Sequence, residues 1–166
     1  GTISELVLPQ EAGLLTVVIA GCGAGSECKP VAFRKAAGAA ARALRKAKVA
    51  QAIIAAPILT NPKRGAYLEA IVEGLYLGGY SFTEFKSKAE KSVQCAVTLL
   101  SKIAEAEDLV KKATISAGAV SFTRDLVNRP GNVVNPQTLA EAACQLAQEL
   151  PLEVEVLDEQ QMAERK

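Results

Sequence analysis

Few stretches of this chain carry residue types that could do chemistry. Gly21-Cys22-Gly23-Ala24-Gly25 lies between an apolar run and a helical pattern, where backbone N–H groups can cradle a phosphate. It does not match the dinucleotide fingerprint: the third glycine of that pattern would fall on Ser26 or on Cys28, according to the starting glycine, and no Lys-Ser or Lys-Thr follows as in a Walker loop. A tight strand-exit turn, with glycine supplying positive φ, is the simpler account. Lys29 to Lys48 holds Lys29, Arg34, Lys35, Arg42, Arg45, Lys46 and Lys48 with no acidic residue. Arg34, Arg42, Arg45 and Lys46 could lie on DNA phosphates. The alternatives are a solvated outer helix face, or a contact with the acidic stretch Glu149 to Glu159 of another molecule.

Glu69 and Glu73 stand one helical turn apart and could share a cation, but no third ligand accompanies them. Glu105, Glu107 and Asp108 sit among lysines, and Glu153 and Glu155 share the polar face of an alternating run. Ser116 and Ser121 have no partner base. Cys22, Cys28, Cys95 and Cys144 include no CxxC pair, and read as buried free thiols of a reducing compartment. The chain has no histidine, which excludes Ser–His–Asp and Cys–His catalysis and every histidine zinc site within these residues. From the residues alone, no position is assigned a catalytic, cofactor-binding or metal-binding role. A net charge of +1 gives no global field to attract nucleic acid or membrane. No apolar run is long enough to span a bilayer.

The elements that would position these residues follow from hydrophobic pattern. Leu14 to Ala20 is β-branched and apolar, as in a buried parallel strand. Val31 to Lys48 is a helix, with Ser26 and Pro30 at its entry and Phe33, Ala37, Ala40, Ala41, Leu44 and Ala47 on one face. Gln51 to Ala56 is a strand closed by Pro57. Asn61-Pro62 opens a helix to about Leu77, stopped by Gly78-Gly79. Val93 to Leu100 is a third strand, and the β-α-β-α-β order implies helices packed on a sheet. Lys102 to Asn128 is a long connecting helix with Glu107→Lys111 and Asp108→Lys112 pairs. It ends before Pro130. Asn135-Pro136 starts a helix over Gln137 to Glu149, Leu152 to Val156 alternates as a half-buried strand, and Asp158 caps one more helix. The chain starts on Gly1 and ends just after that helix begins, which reads as a segment of a longer protein.

The most specific string is Phe122-Thr123-Arg124-Asp125-Leu126-Val127-Asn128-Arg129-Pro130-Gly131-Asn132-Val133-Val134-Asn135-Pro136-Gln137-Thr138-Leu139-Ala140. Physically it is a rigid elbow: one helix stops at Asn128 to Gly131 and another restarts at Asn135-Pro136. The string closely resembles the interdomain segment of the leucyl (cytosol) aminopeptidase family. Arg34 to Leu44, Glu73-Gly74-Leu75-Tyr76-Leu77-Gly78-Gly79-Tyr80-Ser81-Phe82, Phe85-Lys86-Ser87-Lys88 and Leu152 to Glu159 match that family in order. Two departures stand out: Leu8 to Gly13 is shorter than the family's hairpin, and Gly21-Cys22-Gly23 replaces Gly-Leu-Gly.

The resemblance implies an α/β fold. It would be a macro-like three-layer αβα domain with a mixed sheet over 1–100, a connecting helix and elbow over 101–132, and the start of a second αβα peptidase domain over 133–166. It implies a hydrolase that removes N-terminal amino acids from peptides, cytoplasmic and homohexameric, using two divalent metal ions, zinc or manganese. The family's ligand motifs, Asn-Thr-Asp-Ala-Glu-Gly-Arg and Gly-Lys-Gly, do not occur here. The segment is therefore expected to bind no metal, to carry no catalytic residue and to be inactive alone. Two other functions are carried forward as expectations: DNA binding by the basic helix, which some members of the family show, and ADP-ribose binding by the macro-like fold.

Overall fold

The computed structural model describes residues 2–10, 13–24, 28–55, 63–87 and 95–165. The chain divides into two compact units, 1–122 and 123–166.

The first unit opens with a hairpin. Strands β1 (Ile3–Gln10) and β2 (Gly13–Ala20) pair antiparallel from Ile3↔Ala20 to Gln10↔Gly13. The register leaves a two-residue connection, so the short segment before Leu14 still completes a hairpin. Pro9 is tolerated because β1 pairs on one side only among the described residues, where a missing N–H costs no ladder bond. This corrects the expectation of a buried parallel strand at Leu14 to Ala20. A two-stranded ribbon cannot cover both its faces, and Leu15 and Ile19 are about half exposed. The parallel pairing lies elsewhere, between β3 (Gln51–Ala55) and β4 (Ala96–Leu100), in register from Gln51↔Ala96 to Ala55↔Leu100. Among the described residues, the mixed character is thus divided between two small sheets. Pro57, Asn61-Pro62, Val93 and Gln94 lie outside the described residues.

The packing centre is the pair of helices α1 (Pro30–Lys46) and α2 (Arg64–Gly79). Phe33, Ala37 and Ile71 form the buried cluster, with Cys22, Cys28, Tyr67, Leu75 and Leu99 packed against it. The Phe33 and Tyr67 rings meet edge to face at 5.2 Å, a favoured aromatic geometry. The buried face of α1 is Phe33, Ala36, Ala37 and Gly38. It is rotated toward α2 from the expected stripe; Ala40, Ala41 and Leu44 are only half-buried and Ala47 is exposed.

Helix α1 ends in a Schellman turn. The Lys48 N–H donates to Arg45 O at 3.1 Å, and the Val49 N–H to Leu44 O at 3.1 Å. Lys48 adopts φ 53° to close it, a conformation a Cβ disfavours. Lys48→Gly is expected to stabilise the chain by about 1 kcal/mol, read as a higher urea midpoint with an unchanged slope. No gain would show that the Lys48 side chain's own interactions outweigh the relief.

Helix α3 (Ala106–Asn128) runs 23 residues and carries the chain from the first unit into the second. It begins four residues later than expected, after a turn in which the Ala106 N–H donates to Ile103 O. In the second unit, Pro130 O accepts from the Val133 and Val134 N–H groups at 2.8 and 3.0 Å, forming the elbow. Helix α4 (Pro136–Glu149) starts with a reciprocal cap: the Thr138 N–H donates to Asn135 Oδ1 at 3.1 Å, and the Asn135 N–H to Thr138 Oγ1 at 2.9 Å. The Thr138 hydroxyl also donates to Val133 O at 2.9 Å, tying cap to elbow. Asn135→Ala should cost about 1 kcal/mol. Amide hydrogen exchange in the first turn of α4 would read this as roughly fivefold faster; unchanged exchange would refute it.

Asp158 caps α5 (Glu159–Glu164) as expected, accepting from the Gln161 N–H at 2.8 Å. Leu152 to Val156 does not form a strand. The alternation is present, but the segment pairs with no described residue, and Leu152, Val154 and Val156 are all exposed. Arg165 instead holds Glu155 by a paired guanidinium–carboxylate contact, Nη1 to Oε2 at 3.0 Å.

Candidate functional site

The glycine turn after β2 is explained by packing. The Gly21 N–H donates to Thr2 O at 2.9 Å, and a Cβ on Gly21 would lie 2.9 Å from Thr2 Oγ1. Gly23 adopts φ 92°, which a side chain would resist. Gly25 and Ser26 lie outside the described residues. Helix α1 starts well beyond the turn, with Pro30 in its first turn and no side-chain cap from Lys29. The strand-exit reading therefore accounts for both described glycines without a bound phosphate.

The thiols differ from expectation. All four are free as anticipated, but half-buried rather than buried. The Cys28 Sγ–H donates to Cys22 O at 2.9 Å, while the Tyr67 hydroxyl donates to Cys28 O at 3.0 Å and pins that backbone to α2. Burial, then the neighbouring Cys28, push the Cys22 thiol above its ordinary range.

Glu69 and Glu73 do come together on α2, beside the start of α1, at a cleft of about 320 Å³ shared with Pro30, Val31 and Arg34. Each carboxylate already has a cation. Glu73 Oε2 lies 3.4 Å from Arg34 Nη1, and Glu69 Oε1 lies 2.9 Å from Lys112 Nζ on α3. Lys112, expected to answer Asp108 along its own helix, thus reaches α2. Its ammonium is held above the ordinary lysine range by that hydrogen bond and by the charge of Glu69. A raised lysine pKa contributes stability that is complete below the unfolded value and is lost as pH rises through the folded one. The contribution of the Lys112 ammonium is therefore constant across the neutral range. Among the described residues no group of three or more acidic, cysteine or histidine side chains could hold a metal ion. Two carboxylates already answered by Lys112 and Arg34 do not fit a divalent metal centre.

The basic helix is only partly a free array. Arg34 turns to Glu73, and Arg45 Nη1 donates to Tyr80 O at 3.1 Å, tying α1 to the end of α2. Arg42 and Lys46 are exposed. Arg45 also borders a larger cleft of about 580 Å³, walled by Leu44, Val72, Tyr76, Val97 and Leu99, with Ser81 and Cys95 at its edge. It offers apolar surface and one guanidinium, with neither a carboxylate nor another base among its lining residues to activate a nucleophile. Ser121, read as lacking a base, donates to Ala117 O at 2.9 Å within α3. No described helix is long and apolar enough to cross a membrane.

Residue reading missed the glycine crossing between α1 and α2. A Cβ on Gly74 or Gly78 would come within 3.0 Å of the backbone of α1, Arg34 for the first and Gly38 for the second. Gly78 is therefore part of α2 and faces its neighbour, rather than only stopping the helix. The signal was available: Gly74 and Gly78 are four residues apart, hence on one face of a helix.

An α/β unit built on a glycine-crossed helix pair, joined by a long helix to an elbow and a second unit, is an arrangement with close structural relatives. The structure superposes on a tomato leucine aminopeptidase variant with a TM-score of 0.81 at 28% identity, covering 97% of this chain and 33% of that one. The bottromycin maturation enzyme BotP in complex with Mn shares the fold, with a TM-score of 0.80 at 24% identity, covering 97% and 34%. Residues 1–89 match the cytosol aminopeptidase family, N-terminal domain, and residues 121–166 match the catalytic domain of the same family. A probable cytosol aminopeptidase of Aquifex aeolicus (strain VF5) is 35% identical over 149 residues, which make up 89% of this chain and 30% of that protein.

These matches define an aminopeptidase-type α/β protein. The chain belongs to the cytosol aminopeptidase family and corresponds to its N-terminal portion. It spans about a third of the length of the curated relatives it matches.

Proposed function

We propose that this chain is the non-catalytic N-terminal portion of a leucyl aminopeptidase that removes N-terminal amino acids from peptides. The observation that carries the reading is the order of the two family matches. The N-terminal domain match covers 1–89 and the catalytic-domain match begins at 121, near the end of α3, so most of the long helix lies between the two matches and the elbow falls within the second. The domain division expected from the sequence, a macro-like domain over 1–100 with an elbow ending at 132, belongs to the same proposal.

In this reading the whole protein is cytoplasmic and homohexameric, and binds two divalent metal ions, zinc or manganese, through residues outside this chain. The name of the manganese-bound structural neighbour is consistent with such a metal. The described residues do not fit that centre, so no chemical step is assigned to them. Their part is structural: the α1–α2 pair forms a packed block, and the Asn135–Thr138 cap fixes how α4 leaves the elbow. The basic face of α1 is assigned no separate DNA-binding function, since Arg34 and Arg45 are engaged within the unit.

The test is hydrolysis of leucine p-nitroanilide with added manganese. The longer protein containing this sequence should turn over, and the 166-residue chain alone should show no rate above the metal blank. Activity in the short chain would overturn its non-catalytic role. An inactive but folded long protein would overturn the peptidase reading.

A further inference from the structure

We infer that Cys22 and Cys28 are a redox pair, two thiols placed to close into a disulfide by exchange with a small-molecule disulfide such as oxidised glutathione. Three observations converge on them. The Cys28 sulfur lies 2.9 Å from the carbonyl oxygen of Cys22, so one thiol already rests against the backbone of the other residue. Both side chains pack against the same buried cluster, Phe33, Ala37 and Ile71, which confines them to one place. Cys28 is also held from behind, because the Tyr67 hydroxyl donates to its carbonyl oxygen at 3.0 Å. Both residues are half-buried, not sealed, so a small reagent can reach them.

Other roles for the pair lack support among the described residues. No third ligand stands near enough to make a metal site, and the chain has no histidine to turn either thiol into a base-activated nucleophile. The chemistry open to two cysteines held this close through one sulfur and the other's backbone is two-electron exchange, once the Cys22 side chain turns from the Ala20 carbonyl, 3.8 Å away. One protein thiol loses its proton and its thiolate attacks a sulfur of the glutathione disulfide. That S–S bond breaks, a mixed disulfide forms, and one glutathione leaves as the thiol. The second protein thiol, also deprotonated, attacks the protein-side sulfur of the mixed disulfide. The Cys22–Cys28 bond forms and a second glutathione leaves. Two protein thiols are oxidised and one glutathione disulfide is reduced to two glutathiones. The product staples the exit of β2 to the entry of α1. Cys95 and Cys144 serve as internal controls, because neither contacts another cysteine among the described residues. The Cys95 sulfur lies 3.9 Å from the Ala96 carbonyl oxygen.

The test is equilibration of the folded chain in glutathione redox buffers, then alkylation of remaining thiols and peptide mapping. The expected result is loss of two of the four free thiols, with the peptides of Cys22 and Cys28 joined and those of Cys95 and Cys144 alkylated. The native chain should reach half oxidation at a ratio of oxidised to reduced glutathione at least ~10-fold lower than the same chain in urea, because the fold raises the effective concentration of one thiol at the other. Cys22→Ser should halt at a mixed disulfide on Cys28, while the double variant Cys95→Ser, Cys144→Ser should oxidise as the parent does. Four alkylated thiols in the most oxidising buffer would overturn the pairing. So would linkage to Cys95 or Cys144, or equal oxidation of native and unfolded chains.

Discussion

Gly78→Ala is expected to destabilise the chain by about 2 kcal/mol, although alanine is the better helix former. The replacement gains about 1 kcal/mol of helix propensity. Against this, the new methyl would fall within 3.0 Å of the Cα, C and O atoms of Gly38 on α1. Those are backbone atoms and cannot rotate aside, so the two helices must separate and loosen the Phe33–Ala37–Ile71 cluster that their contact closes. Overpacking of this kind costs about 1–3 kcal/mol, and a rigid obstacle puts it at or above the upper end. The net loss corresponds to roughly 4–8 °C in melting temperature for a chain of this size. Gly74→Ala should behave alike, since its methyl would meet the backbone of Arg34 and the Ala37 side chain. Gly118→Ala in α3 is the matched control, because nothing lies within 4 Å of its Cβ position. It should stabilise by about 0.5–1 kcal/mol. Urea unfolding of the three variants decides the matter, and a Gly78→Ala midpoint equal to or above the parent's would show that α1 and α2 do not cross in contact.

That crossing also marks where sequence reading stops. Elements whose signals are local were legible. Asn135 and Asp158 each cap a helix through a side chain reaching three residues ahead, and Pro130 ends α3 because of its own ring. Periodicity gave the alternating helices and strands from α1 to β4. What was lost depended on partners distant in sequence. Leu152 to Val156 alternates like a strand, yet a strand exists only when another pairs with it. Ile3 to Gln10 hid its strand behind Pro9, which an edge position accommodates. Lys112 had an eligible partner in Asp108, four residues away, and instead meets Glu69, 43 residues earlier. The candidate sites followed the same division. Gly23 has the positive φ that glycine's backbone freedom suggested, whereas the contact of Gly21 with Thr2 and the approach of Cys28 to Cys22 depend on partners that local pattern does not reveal. The family resemblance lay in the elbow string, whose residues are constrained by chain geometry and are mostly exposed.

Leu68→Ala is expected to cost about 3–4 kcal/mol, a large loss for a single truncation. Leu68 is 1% exposed and, among the described residues, is the largest side chain so completely buried. It shares a face of α2 with Gly65, three residues before it, and with Ile71 and Val72 after it. Leu109 of α3 packs 3.3 Å from the Cβ position of Gly65, and the Glu69–Lys112 pair holds the same two helices one residue further on. The surroundings are therefore fixed on several sides and cannot collapse into the vacated space. The lost transfer free energy then adds to the cost of a retained cavity, as in the upper part of the usual Leu→Ala range of 2–5 kcal/mol. Leu68→Met, which keeps the volume, should cost under about 1.5 kcal/mol. Ile53→Ala on β3 removes a larger side chain than the alanine that replaces it, yet Ile53 is 73% exposed and the change should stay within about 0.5 kcal/mol. Denaturant titration of these variants separates two accounts of the unit. If Ile53→Ala proved as costly as Leu68→Ala, the small sheets would carry the stability. The expected order, with Leu68 far ahead, places it in the helix layer, where the glycine crossing lets α1 and α2 approach closely enough to bury a core built from small side chains.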